Sequence, residues 1–300
     1  MFQVIHSKIA KIADSPSALN ILYIPALLMF AIFIFLPFFQ GIVISFMEWD
    51  GYSANQIWVG INKYINVFTD PNFYTAVKNT FIYGVGSTLF QNVFGLMFAL
   101  LLDRNTTGEK VVRTLVYLPA IISGLIMGYI WYFFFSYDGG AINDILALFG
   151  KEQIDWLASG SRSVWIITGV NTFQYLGISM IMYLAGLQNI SRDYYEAADI
   201  DGASYLSKFS NITIPLLMPA ITVSVVTNLI GGLKLFDVIA ALTGGGPGYE
   251  SASISTMIYQ MYFVRQDAGY AAAQGNIMFI IIAVISIWAL KFLRSKEVEI

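Results

Sequence analysis

Asn171, Thr172, Gln174 and Tyr175 place amide, hydroxyl and phenol groups within five residues of an otherwise apolar stretch, and Asn228 adds an amide to a second such stretch. None of these groups is an effective base or nucleophile at neutral pH; they offer hydrogen bonds. A polar solute leaving water needs such groups to replace the bonds it loses, because an unpaired polar group in an apolar medium is costly. The same amides can also fasten membrane helices to one another. The residues alone leave both roles open.

A second constellation runs from Arg192 to Pro215, RDYYEAADIDGASYLSKFSNITIP. It is polar between two charge-free stretches, so it must emerge from a membrane between two spans. Asp193 followed three residues later by Glu196 predicts a capping box opening a short helix. Asp201-Gly202 predicts the turn that ends it, and Ser204 can cap a second helix that returns to the bilayer through Phe209, Ile212 and Ile214. A helix-turn-helix knob is expected. Catalysis is not legible here: the carboxylates of Asp199 and Asp201 have no His, Cys or metal-type cluster near them. The chain has no Cys and one His, His6, so thiolate sites, disulfides and a histidine centre are excluded, and neither catalytic nor metal-binding residues are expected.

The elements that must position these residues follow from composition. The 300 residues are 57% hydrophobic and 12% charged, outside the range of a soluble domain. Charges bracket six windows, at 21–47, 79–102, 114–137, 163–191, 209–233 and 268–290. Each can cross a hydrocarbon core of about 30 Å, which takes about 20 residues. The fold class is therefore all-α and polytopic, with a tail over 1–20, a membrane domain over 21–293 and a second tail over 294–300. A cleaved signal peptide is disfavoured because the first apolar run is too long. Lys8, Lys11, Arg104, Lys110, Arg113, Arg192, Lys208, Lys291, Arg294 and Lys296 fall on one side, which the positive-inside rule makes cytoplasmic together with both termini. The net charge of -3 and the lack of a basic run give no reason to expect nucleic acid.

Pro25, Pro37 and Pro119 each remove a backbone donor within a window and favour a kink. Outside the windows, Ile142, Ile145, Leu146 and Phe149 have the spacing of a small amphipathic helix lying on the membrane or a neighbour. The run from Thr243 to Gly248 lacks the Gly-Lys-Ser/Thr ending of a phosphate loop and is expected to be a flexible turn. Lys234 and Asp237, three apart, are expected to form a local ion pair.

The spacing of Glu196-Ala197-Ala198, Gly202, Ile212 and Ile214-Pro215 closely resembles the EAA loop of ATP-binding-cassette importer permeases, with Ile214 in place of the usual Leu. Leu184 to Gln188, Leu242 to Pro247, Gly269 to Ala273, Asn79-Thr80 and Tyr117 to Pro119 resemble the sugar-importing branch, in the family's order, over about 22–293. Ser191 departs from it, since sugar permeases usually have Pro there, which bears on the approach angle of the loop helix. The resemblance implies the MetI-like permease fold with a cytoplasmic coupling-helix loop. On this resemblance Glu196, Ala197, Ala198, Gly202, Ile212 and Pro215 couple to an ATPase.

It further implies a homologous second permease subunit, two cytoplasmic ATPase subunits, and an extracellular or periplasmic solute-binding protein. The setting would be a bacterial or archaeal cytoplasmic membrane, with lipid around the spans. ATP and Mg would be bound by the partner ATPase, and no cofactor by this chain, which is then a transport subunit and not an enzyme. The substrate would be a sugar or oligosaccharide, passing Asn171, Thr172, Gln174, Tyr175 and Asn228. Asn171 matches a position that lies at the sugar site in maltose-importing relatives, and Tyr175 replaces a small Gly there, which implies a reshaped or more closed pocket. Glycerol phosphate or a polyol is the alternative within the family. An ion-coupled carrier would need titratable groups inside the spans, and the six windows lack them.

Overall fold

Backbone in hydrocarbon must satisfy its own hydrogen bonds, which an apolar run does by becoming a helix. The computed structural model describes residues 16–103 and 107–298. Within it five helices are long and apolar enough to span a membrane: Tyr23–Ile44, Pro71–Leu101, Gly160–Gln188, Tyr205–Leu233 and Ala268–Arg294. A bent pair, Gly108–Ile121 and Gly124–Phe135, supplies the third of six spans. Most of the N-terminal tail, with Lys8 and Lys11, lies outside the described residues, as do Arg104 and Glu299.

The third window differs most from expectation. Its two helices meet at 99°, with Ser123 extended between them and Pro119 in the last turn of the first. A break exposes backbone carbonyls. That of Ile122 accepts a hydrogen bond from Gln174 Nε2 at 2.9 Å, so the fourth span stabilises the break in the third. The first span, by contrast, passes through Pro25 and Pro37 as one helix, its turn at Ala31–Phe35 widened to π-type geometry.

Spans approach closely where side chains are small, as membrane packing without a hydrophobic driving force requires. A Cβ on Gly177 would lie 2.4 Å from the Val116 carbonyl oxygen, and one on Gly95 2.5 Å from Ser179 Cβ. Gly84 and Gly232 let the second and fifth spans touch, a Cβ on Gly232 lying 2.9 Å from Gly84 Cα. The buried core forms patches along the bundle, one of them around Tyr83, Ile167 and Ile239 and another around Ala99, Met180 and Leu217.

The face opposite the 192–215 loop is built from short elements held by polar anchors. A two-residue hairpin pairs Met47 with Trp58 and Glu48 with Ile57, and Lys63, buried, reaches Asp267 at 2.9 Å. The helix expected near 142–149 forms over Ala141–Leu148, with apolar residues exposed on one face, as a helix lying on a membrane requires, and a polar residue buried on the other. Leu148 is 85% and Phe149 76% exposed, whereas Asn143 is fully buried. Asn143 donates to the carbonyls of Ser136, Tyr137 and Ile154 and accepts from Ile154 N–H and Trp156 Nε1.

The glycine-rich run forms turns, as expected, and it and the segment after it are anchored by side chains. Tyr83 and Asn79 of the second span donate to the carbonyls of Ser251, Glu250 and Ala252, and Gln260 donates to that of Gly244. Its two short flanking helices, Asp237–Leu242 and Ile254–Tyr259, dip into the bundle with buried faces.

Candidate functional site: a polar cavity and a helical knob

The knob begins with a helix over Arg192–Ile200. Its cap is not the expected Asp193–Glu196 box: Ser191 is the N-cap, its hydroxyl accepting the Asp193 N–H at 3.3 Å. Ser191 has φ -63°, the angle proline would impose. The serine therefore preserves a proline-like approach and adds a capping oxygen.

At the other end Gly202 has φ +73°. Its N–H bonds to the Asp199 carbonyl and that of Ala203 to the Ala198 carbonyl, the paired C-terminal closure that a left-handed residue makes possible. Ser204 caps the second helix by accepting the Ser207 N–H. That helix runs without interruption into the fifth span.

Glu196 is the fifth of the nine residues Arg192–Ile200, at mid-helix, and the turn at the tip is Asp201-Gly202. Its side chain is exposed, and among the described residues it has no hydrogen bond or ion pair. Ala197 is exposed beside it and Ala198 half-buried. Ile212 and Pro215 are half-buried and lie at the root of the fifth span. Pro215 lacks an N–H, and the wider turn at Phe209–Thr213, closed by Ile214 N–H to Phe209 O, precedes it directly. Tyr195 hydroxyl meets Thr213 Oγ1 at 3.0 Å, and Lys208 pairs with Asp199 at 2.6 Å. The knob is thus clamped to the fifth span.

The second site is a cavity of about 310 Å³ between the second, fourth and fifth spans and the break in the third. It brings together three of the five residues singled out by sequence: Asn171, Tyr175 and Asn228. Asn228 is held by a 2.6 Å hydrogen bond to Ser179 Oγ. The other two are outside the lining. Thr172 bonds back to the Thr168 carbonyl, and Gln174 serves the third-span break.

Gln91, which sequence reasoning missed, takes their place on the wall. Its Nε2 donates to the Asn171 carbonyl at 2.9 Å. The side-chain oxygens of Gln91 and Asn171 are buried without a partner, an unusual state for such acceptors. The signal was available, since Gln91-Asn92 sets two amides side by side in an apolar span. Asn92 is partnered at both ends of its amide, accepting from Tyr183 and Ser224 and donating to the Thr88 carbonyl. Lys234 and Asp237 also line the cavity, and among the described residues no ion pair joins them. Lys234 caps the C-terminal end of the fifth span, whereas Asp237 opens the next helix and abuts Gly124, the first residue of another. Opposite helix-terminal charges favour each where it stands.

Residues 91–297 match the model of the family described as binding-protein-dependent transport system inner membrane component. This chain belongs to that family. Among similar permease components is a probable starch degradation products transport system permease protein, AmyD of Thermoanaerobacterium thermosulfurigenes. It is 35% identical, over 92% of this chain and 93% of the relative. The trehalose/maltose transport system permease protein MalF of Thermococcus litoralis is 31% identical, over 92% and 94% of the two chains. Among solved structures, a permease component from a bacterial ABC transporter involved in the import of the acidic polysaccharide alginate superposes with a TM-score of 0.79. It is 28% identical, and the match covers 92% of this chain and 95% of that one. The bundle described above is therefore the permease fold of this family, and the permease component is an integral membrane protein.

Proposed function

We propose that this permease component forms one half of the transmembrane pathway of an ATP-driven importer for a sugar or oligosaccharide. The observation that carries the reading is the cavity among the spans, lined by the amide residues Gln91, Asn171 and Asn228 together with Tyr175. Amide side chains suit the hydroxyl groups of a sugar, and Tyr175 offers an aromatic face to the apolar side of a ring. One lysine and one aspartate on the same wall balance formally, which favours a neutral sugar. The names of AmyD and MalF support that substrate class.

In this reading a solute-binding protein delivers the sugar, a homologous second permease completes the pathway, and two ATPase subunits bind ATP and Mg. Both termini and the knob face the cytoplasm, by the bias of Lys and Arg. The knob docks on the ATPase through Glu196, whose free carboxylate can accept charge-assisted hydrogen bonds. Ala197 and Ala198 keep the helix slim for that approach, and Gly202 closes its tip.

The test uses the transporter assembled with its partner chains in proteoliposomes, with uptake measured over a panel of neutral and acidic oligosaccharides. Asn171→Ala and Gln91→Ala variants that still assemble and hydrolyse ATP are each expected to lose about fivefold in transport efficiency, one lost hydrogen bond at about 1 kcal/mol apiece. Unchanged uptake in both variants sinks the cavity as the pathway.

A further inference from the structure

A second concavity, of about 460 Å³, lies between the second, fifth and sixth spans. Its walls are almost wholly apolar, with Leu89 and Val93 on one side, Val225 at the back, and Trp288 and Phe292 on the other. These residues come only from membrane spans, and Leu89, Val93, Trp288 and Phe292 are more than half exposed. Along the second span the lining runs from Val85 to Leu96. The eleven steps between them, at about 1.5 Å each, make about 16 Å, half of a hydrocarbon core of about 30 Å. The cleft is one leaflet deep. It reaches toward the face that bears the knob, where the sixth span ends.

That end is cationic. Phe292 stacks on Trp288 with ring centroids 5.6 Å apart, and the Lys296 ammonium stands 6.0 Å over the Phe292 ring. Lys291 and Arg294 occupy the same last turn, against the single carboxylate of Glu297 among the described residues nearby. None of the three cations has an ion-pair partner among the described residues. An apolar slot one leaflet deep, with an ammonium held at its mouth, complements an amphiphile with an acyl chain and a negative head.

We propose that this cleft binds one anionic phospholipid of the leaflet on the knob side, with an acyl chain between Val93 and Trp288 and its phosphate at Lys296. Naming that leaflet cytoplasmic rests on the orientation proposed above; the site itself does not. Anionic headgroups of the cytoplasmic leaflet attract Lys and Arg near the surface, and aromatic rings settle at headgroup level.

The test measures bound lipid and not transport, so its failure leaves the transport reading intact. The assembled transporter is purified in mild detergent and given phosphatidylglycerol and phosphatidylcholine with identical acyl chains, in equal amounts. Lipids retained through stepwise delipidation are counted by native mass spectrometry. The expected result is at least fivefold preference for phosphatidylglycerol, falling to near parity in the Lys291→Gln/Lys296→Gln variant. Val225→Trp, which fills the slot, is expected to lower retention of both lipids. Equal retention in the unaltered protein, or a preference that survives the lysine variant, overturns the proposal. So does cross-linking from a cysteine at position 93 that captures a protein helix instead of lipid.

Discussion

Replacing Gly202 separates two reasons for a glycine at the knob's tip. A Cβ at this position meets nothing within 4 Å, so within this chain the space is open. The constraint is the backbone, held at φ +73°, where an L side chain costs about 1–2 kcal/mol. Asparagine tolerates this region better than alanine although it is larger. If conformation decides, Gly202→Ala shifts the closed turn by about 1.4 kcal/mol, a factor of about ten, and Gly202→Asn by about threefold or less.

The Ala203 N–H, bonded to the Ala198 carbonyl at 2.9 Å, reports that closure, because an exposed turn exchanges by local opening. Amide exchange in the assembled transporter in nanodiscs should rank Ala above Asn above Gly. ATP-driven uptake should fall in the same order. Exchange and uptake that worsen with side-chain size, Asn beyond Ala, would refute the conformational reasoning and point to a tight cleft in the docking partner.

Gly177→Val should destabilise the bundle by about 1–3 kcal/mol, because its Cβ meets the Val116 and Tyr117 backbone, which no rotamer change can move. Gly169→Ala on the same helix, with nothing within 4 Å, is the control, and a lower thermal midpoint in it would count against the packing account. The Asp50 carboxyl titrates below its usual value because the Ser53 and Tyr52 N–H groups hold its charged form. A depressed folded pKa stabilises above the unfolded value, so the 50–53 turn should hold at neutral pH and open as pH falls through the folded pKa, below the usual 3.8. Fluorescence of Trp49, which donates to the Ser53 carbonyl, should follow that opening, and a signal flat through the acid range would contradict it. Cysteines introduced at Arg192 and Lys296 in this Cys-free chain should react with an impermeant thiol reagent only after cells are opened. Labelling from outside intact cells would reverse the orientation.

What the sequence disclosed and what it hid divide on physical lines. The spans were legible because each apolar run must satisfy its own backbone in lipid, a requirement local to the run. The Ser204 cap and the Gly202 turn were legible because capping is decided within four residues. The Ser191 cap was equally local, yet it was masked by the acidic pair beside it, which fits a capping pattern without making one. The third-span break was only half visible. Pro119 announces a missing donor, but a bend of 99° stands because Gln174, in another span, takes the freed carbonyl. Likewise the periodicity of Ile142, Ile145 and Phe149 pointed to the helix, but gave no sign that its opposite face is fixed by five hydrogen bonds of Asn143. Gln91 was hidden differently, since amides in an apolar span read as helix glue until an oxygen is seen to lack a partner.

These details bear on how a push at the knob could reach the cavity. The first loop helix is tied to Thr213 through Tyr195, and Thr213 and Asn228 belong to one helix, Tyr205–Leu233. Fifteen residues at about 1.5 Å place them about 22 Å apart along that helix, with Pro215 and Pro219 between them. In the proposed reading, tilting the knob tilts the fifth span as a lever and moves Asn228 along the cavity wall. The fourth span resists by contact, since Asn228 donates to Ser179 and Leu217 packs against Gly186. The third span can yield, because its two halves already meet at a break. A transmitted stroke should therefore appear first as a change at Ile122–Gly124, where Gln174 holds one half and Asp237 touches the other.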